Sequence, residues 1–306
     1  MILRQVRDSK DDAEAVRLTA DAAFAASHAA RPDPLDGADG ADRAGGAGGA
    51  GEPDENAAIL LRSVVRHLAR TDPSGCWLAL DDAGRPVGAA LSTRREGTWG
   101  LSLLVVAPEA QGKGLGKALL ARTLAYGRGC LRGLICASRD PRAARVYRAA
   151  GFTLHPAMRL HGTVDHAGLE PPTGAVVEGG PGLRDLMDSV DRRLRGGAHG
   201  PDHTELLRHY QCIVSDDLAG SGYAYLRDGR VELLAATSRR IAARLLTAAL
   251  LSLAPGVTAG VTRLTADQEW AVDVALAAGL EVTTGGFVCV RGMRPPAPYI
   301  PSGLFL

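Results

Sequence analysis

Lysine is nearly missing from this 306-residue chain: of 35 basic side chains only Lys10, Lys113 and Lys117 are lysines, and arginine supplies the rest. Against 34 acidic residues the net charge is +1. No bulk field therefore recruits nucleic acid or an anionic membrane, neither is expected as a partner, and any anion must be held locally. Cysteine is scarce too. Cys76, Cys130, Cys136, Cys212 and Cys289 are odd in number and scattered, with no Cys-x-x-Cys pair, which excludes a disulfide framework and a zinc knuckle. Long hydrophobic runs are lacking: the longest, residues 245–254, is about half of what a spanning helix needs. The N-terminus passes directly from Met1-Ile2-Leu3 into charged residues without the apolar core of a signal peptide. A cytoplasmic protein with reduced thiols is expected. His199, His203 and His209 with Asp202 show no zinc spacing with a fourth ligand, so no metal is expected.

What is present is ordinary globular composition, 46% hydrophobic and 23% charged, in a length of about two domains. Residues 2–7 alternate like an edge strand, and a helix follows from Asp11. Residues 29–56 are almost only Ala, Gly, Asp and Pro, and read as a mobile loop. A helix through Ile59, Val64 and Leu68 precedes strands at 76–80, 87–93 and 99–106, a glycine-rich turn, and a helix bearing Leu115, Leu119 and Leu120. Strand 131–137, helix 140–150 and strand 152–164 complete a first domain, residues 1–166. Glycines and Pro171-Pro172 mark a linker at 167–182. The remainder, 183–306, echoes the first half: Gly133 through Asp140 matches Gly260 through Asp267, and Ala149-Ala150-Gly151-Phe152 matches Ala277-Ala278-Gly279-Leu280.

Two of the three lysines flank the segment Gln111-Gly112-Lys113-Gly114-Leu115-Gly116-Lys117, between a strand and a helix. Glycines at alternate positions let backbone approach a ligand, and free amides at a helix start form an anion nest suited to phosphate. A Walker loop is excluded, since Gln111 and Ala118 stand where Gly and Ser or Thr are needed. The dinucleotide fingerprint is excluded by glycines at 112, 114 and 116. The spacing Gln-x-x-Gly-x-Gly resembles the acetyl-CoA loop of the GNAT superfamily of N-acetyltransferases. Tyr147, four residues before Gly151-Phe152, matches a second motif of that family.

This resemblance, over residues 1–166, implies an α/β mixed-sheet fold, and the echo extends it to two tandem GNAT-like acyltransferase folds. It implies acetyl-CoA as co-substrate, with Leu104, Val105 and Val106 along pantetheine, Gln111, Gly112, Lys113, Gly114, Leu115, Gly116 and Lys117 around the pyrophosphate, and Asp140 near pantetheine or capping its helix. The reaction implied is direct attack of an amine on the thioester, with Tyr147 as general acid. The acceptor is a small-molecule or peptide amine, and a homodimer is compatible with this organisation.

The base is not evident. Where relatives carry a strand Glu this chain has Gly100. Glu96 lies just upstream, in what reads as a surface turn. The apolar tail ending Leu304-Phe305-Leu306 reads as docked, and the Leu306 carboxylate is a second candidate, since some tandem acetyltransferases use their C-terminus in this way. In the second half the loop is replaced by Ala236-Thr237-Ser238-Arg239-Arg240-Ile241, and Ala275 stands in the place of Tyr147. That half is expected to be non-catalytic, with Arg239, Arg240 and Arg244 as solvated charges. The alternatives are an acyl-CoA-binding sensor without turnover and a partner-binding scaffold.

Overall fold

The computed structural model describes residues 1–30 and 55–306. The loop expected at 29–56 lies, apart from its ends, outside the described residues. Packing divides the chain into two compact units. The first comprises Met1–Arg94, Trp99–Cys130 and Gly303–Leu306, and the second Arg95–Thr98 and Leu131–Ser302.

The first unit carries β1 (Ile2–Gln5), α1 (Lys10–Ala30), α2 (Glu55–Thr71), β2 (Cys76–Leu80), β3 (Pro86–Arg95), β4 (Thr98–Val106) and α3 (Leu115–Tyr126). Its strands lie in the order β1-β2-β3-β4, with β1 and β3 antiparallel to β2. Ser9 Oγ accepts the Asp12 amide at 3.1 Å and opens α1 as a hydroxyl cap does. The face of α2 bearing Leu61, Val64, Val65 and Leu68 is fully buried, as its periodicity predicts. Val87, Ala90, Ala107, Leu115 and Leu119 form one cluster against which Leu104 and Val106 pack, so the helix after the glycine turn is anchored to the strand before it.

The second unit carries β5 (Arg132–Ala137), α4 (Pro141–Ala149), β6 (Thr153–Thr163), β7 (Val177–Glu178), α5 (Arg184–Arg195), α6 (Asp202–His209), β8 (Gln211–Asp217), β9 (Gly220–Arg227), β10 (Arg230–Ala236), α7 (Arg239–Leu251), β11 (Thr258–Leu264), α8 (Glu269–Ala277), β12 (Glu281–Arg291) and β13 (Tyr299–Ile300). Its sheet runs β5-β12-β6-β11-β10-β9-β8-β7, and β13 pairs with β10. The strand expected to close the first half, β6, does not pair with β5. Instead β12 lies between them, Cys289 opposing Ile135 on one side and Leu154 on the other. Where it lies between them, Val288, Cys289 and Val290 are all buried. Burial pushes the Cys289 thiol up to about 12, as suits a packing residue. The expected linker contributes β7, which pairs with β8 through Val177 and Glu178. The run of three strands, helix, strand, helix, strand occurs twice along the chain, and among the described residues no helix is long and apolar enough to cross a membrane.

Candidate functional site

Strand β4 leads through a short turn at Pro108–Ala110 into the glycine loop. Gly112 and Gly114 adopt φ of +77° and +80°, a conformation that costs an L-residue about 1–2 kcal/mol, and a Cβ at either would meet nothing within 4 Å. Gly114 is the N-cap of α3 and offers no side-chain acceptor. The amides that open this helix therefore face outward, with the positive end of its dipole behind them. Gln111 Nε2 donates to the Val106 carbonyl at 2.9 Å and Lys113 Nζ to the Glu109 carbonyl at 2.9 Å; both stitch the loop to its approach. Lys117 is exposed one turn into α3. Leu115 is buried and anchors the loop. Leu104 and Val106 share one face of β4 while Val105, 4% exposed, points to the other, so a ligand along this strand reaches all three only through the main chain.

The tail docks in the same unit. Leu304, Phe305 and Leu306 are buried, and the Phe305 ring stands edge-on to that of His67 at 6.3 Å. The Leu306 carbonyl oxygen accepts a hydrogen bond from Thr93 Oγ1. It lies against Gly100, where a Cβ would fall 2.5 Å from that oxygen and 2.4 Å from the Leu306 Cβ. The missing side chain at Gly100 and the arriving tail are thus one feature. The sequence signal was a glycine inside a strand, which marks close backbone approach; Thr93 and His67 gave none.

Tyr147, Asp140 and Glu96 belong to the second unit. Tyr147, on α4, is 6% exposed, and burial pushes its phenol far above the ordinary value of 10.0, so it stays protonated at any physiological pH. Asp140 caps α4 by accepting the Arg142 amide at 2.8 Å and pairs with the Arg142 guanidinium at 2.7 Å. Glu96 sits with Gly97 at positive φ in the tip between β3 and β4. It accepts from Arg192 at 2.7 and 2.9 Å and from the Ala198 amide at 3.1 Å. The Arg192 guanidinium, aided by that amide, holds its carboxyl below the ordinary value, the opposite of what a base requires.

The histidines considered as ligands separate. Asp202 pairs with Arg95 at 2.6 Å and His209 with Glu205 at 3.2 Å. His199 and His203 face Asp191, a residue the sequence did not single out, and one ligand atom of each lies within 4.8 Å of the others. His199 Nδ1 donates to Asp191 Oδ2 at 2.7 Å, Tyr223 donates to Asp191 Oδ1 at 2.5 Å, and Arg195 donates to His199 Nε2. His203 Nε2 lies 3.3 Å from Asp191 and 3.4 Å from Asp188. Burial disfavours a charged His203, yet these two carboxylates outweigh it and raise its pKa. For His199 burial prevails, with Arg195 beside it, and its pKa falls. With His203 protonated, two carboxylates, one imidazolium and one guanidinium close this buried network on charge.

At the start of α7, where the glycine loop has its counterpart, Ser238 Oγ accepts the Ile241 amide at 3.3 Å. Arg239 and Arg240 are exposed as expected, but Arg244 is not solvated: it is buried and donates to Ser215 at 2.8 Å and to Asp217. A carboxylate within reach on β8 makes that burial tolerable.

A model of the acetyltransferase (GNAT) family matches residues 49–152, taking in the glycine loop and Tyr147. No curated protein matches the chain. Among solved structures, a Pyrococcus horikoshii protein classed as an acetyltransferase aligns with 100% of this chain and 95% of its own at a TM-score of 0.70 and 16% identity. A GCN5-related N-acetyltransferase from Sphaerobacter thermophilus aligns over 99% and 98%, at 0.56 and 17%. A tandem GNAT protein from the clavulanic acid biosynthesis pathway aligns over 96% and 99%, at 0.57 and 14%. At such identities the likeness is one of fold. The chain has the fold of the GNAT acetyltransferases and carries their sequence pattern across residues 49–152.

Proposed function

We propose that this protein is an acetyl-CoA-dependent N-acetyltransferase acting on a small-molecule or peptide amine. Residues 1–166 are its catalytic domain, 167–182 a linker, and 183–306 a second GNAT-like domain without the loop. The observation that carries the reading is the loop itself, with left-handed Gly112 and Gly114 running into an uncapped helix. Backbone there is open to a pyrophosphate, and no residue but glycine takes that shape without strain. At the counterpart helix start Ser238 already occupies an amide, which supports a second half that does not turn over.

In the reaction the amine nitrogen forms a bond to the thioester carbon, the carbon–sulfur bond breaks, and the departing thiolate takes the Tyr147 proton, which Tyr147 regains from the nitrogen of the adduct. The proton lost by the ammonium goes to the carboxylate of Leu306, seated where Gly100 leaves room. Glu96 is set aside as a base because Arg192 occupies it.

The reading is tested by calorimetry with acetyl-CoA and by thiol release over an amine library. Binding without release for every amine would favour a sensor, and no binding would reject both readings. Gly114→Val places a β-branched residue at φ +80° in open space, so folding is retained and acetyl-CoA Kd rises about tenfold or more, equivalent to about 1.4 kcal/mol. Tyr147→Phe lowers kcat about tenfold to a thousandfold and leaves acetyl-CoA Kd within about twofold, the signature of a group that acts in the transition state.

A further inference from the structure

The second unit holds a cleft of about 470 Å³ lined by Arg132, Arg192, Arg193, Arg195 and Arg294, with Asp267 as its one acidic lining residue. These arginines come from three places: the start of β5, the last turn of α5, and the segment after β12. A helix C-terminus attracts cations and explains those on α5, but it does not explain why Arg132 and Arg294 converge on the same hollow.

Their charges are unevenly answered. Arg192 is taken by Glu96. Arg195, 1% exposed, is turned away to the buried carboxylates, donating to His199, which in turn donates to Asp191. Its Nε and Nη2 have no hydrogen-bond partner among the described residues, although the Tyr299 hydroxyl is beside it. Arg193 and Arg294 are exposed and make no ion pair among the described residues. Arg132 is held flat over Gly196, where a Cβ would fall 2.4 Å from the guanidinium carbon, and its Nη1 reaches only the Gly196 carbonyl at 3.5 Å. Counting Asp267 against the remaining three, the cleft lining keeps two positive charges in excess.

We propose that this cleft binds a small phosphorylated metabolite, separately from the acyl-CoA loop. A guanidinium fork pairs bidentately with an oxyanion. A planar carboxylate is saturated by two such forks, whereas a tetrahedral phosphoryl group presents oxygens to three, and Arg132, Arg193 and Arg294 are three. A phosphate monoester is a dianion near neutral pH, matching the excess, and the volume accommodates a sugar-sized remainder.

The test is calorimetry on the full chain with glucose 6-phosphate as probe, glucose and succinate as controls, and the double variant Arg193→Gln/Arg294→Gln. Both arginines are at the surface, so the variant folds. Glucose 6-phosphate is expected to bind with Kd below about 1 mM, glucose not at all, and succinate at least about tenfold more weakly. The double variant weakens glucose 6-phosphate by about tenfold or more while acetyl-CoA binding is unchanged. Gly114→Val moves acetyl-CoA and not the sugar phosphate, so failure of the acyl-CoA reading and failure of this one are separable. Absence of sugar phosphate binding at about 10 mM, binding indifferent to the double variant, or succinate binding equally well each overturns the proposal.

Discussion

Converting the carboxylate of Leu306 to a carboxamide, by ligating an amidated C-terminal peptide, is expected to lower kcat by about 10²–10⁴, the usual share of a general base. Acetyl-CoA Kd is expected to stay within about twofold. The carboxamide keeps the apolar burial of Leu304, Phe305 and Leu306 and removes only the charge. Deleting Gly303–Leu306 gives the same loss but also removes buried side chains worth about 1.5–3 kcal/mol each, so the carboxamide is the cleaner variant. Gly100→Ala reaches the same end from the strand side: its Cβ would lie 2.4 Å from the Leu306 Cβ, and the tail must leave. The deficit should shrink as pH approaches the pKa of the acceptor, because an amine that arrives neutral needs no base. Unchanged turnover in the carboxamide would sink the assignment and leave a water chain as the base.

How far this site was legible follows from how local each signal is. The glycine loop, the strand before it and the helix after it were all readable, since each depends on residues within a turn or two. Gly100 was visible as a missing carboxylate and as a glycine inside a strand. That the same gap seats a residue 206 positions away (306 against 100) follows from tertiary packing, which no spacing encodes. The place of β12 between β5 and β6 was hidden for the same reason: an apolar strand states that it is central, not whom it pairs with. The charged residues of α5 gave no signal, for another reason. Asp188, Asp191 and Arg195 recur at helical spacing on its buried face, but charged residues at that spacing read as a solvated stripe unless their partners are known.

Those partners make Asp191 the position where one atom's change should cost most stability. Asp191→Asn is expected to lower the unfolding free energy by about 3–5 kcal/mol, as when one member of a buried ion pair is removed. The check is a fall in the urea midpoint with an unchanged m-value. Asn preserves shape, but its amide is a donor where Asp191 accepts from Tyr223, from His199 Nδ1 and from the His199 backbone amide. His203 is left with Asp188 as its carboxylate neighbour. The pH dependence supplies a second readout. Because the folded-state pKa of His203 is raised from 6.5, its contribution is full below about 6.5 and is lost as pH rises through the folded value. His199 is lowered from 6.5, so its contribution is full above that pH and is lost as pH falls through its own folded value. Asp191, lowered from 3.8 because His199 and His203 outweigh its burial, contributes above about 3.8 and loses that contribution in acid. Wild-type stability should therefore fall away on the alkaline side of about pH 6.5 as His203 deprotonates. In Asp191→Asn that alkaline decline flattens, since one of the two carboxylates holding the His203 proton is gone. A decline of the same steepness in both proteins would show that Asp188 alone holds the proton.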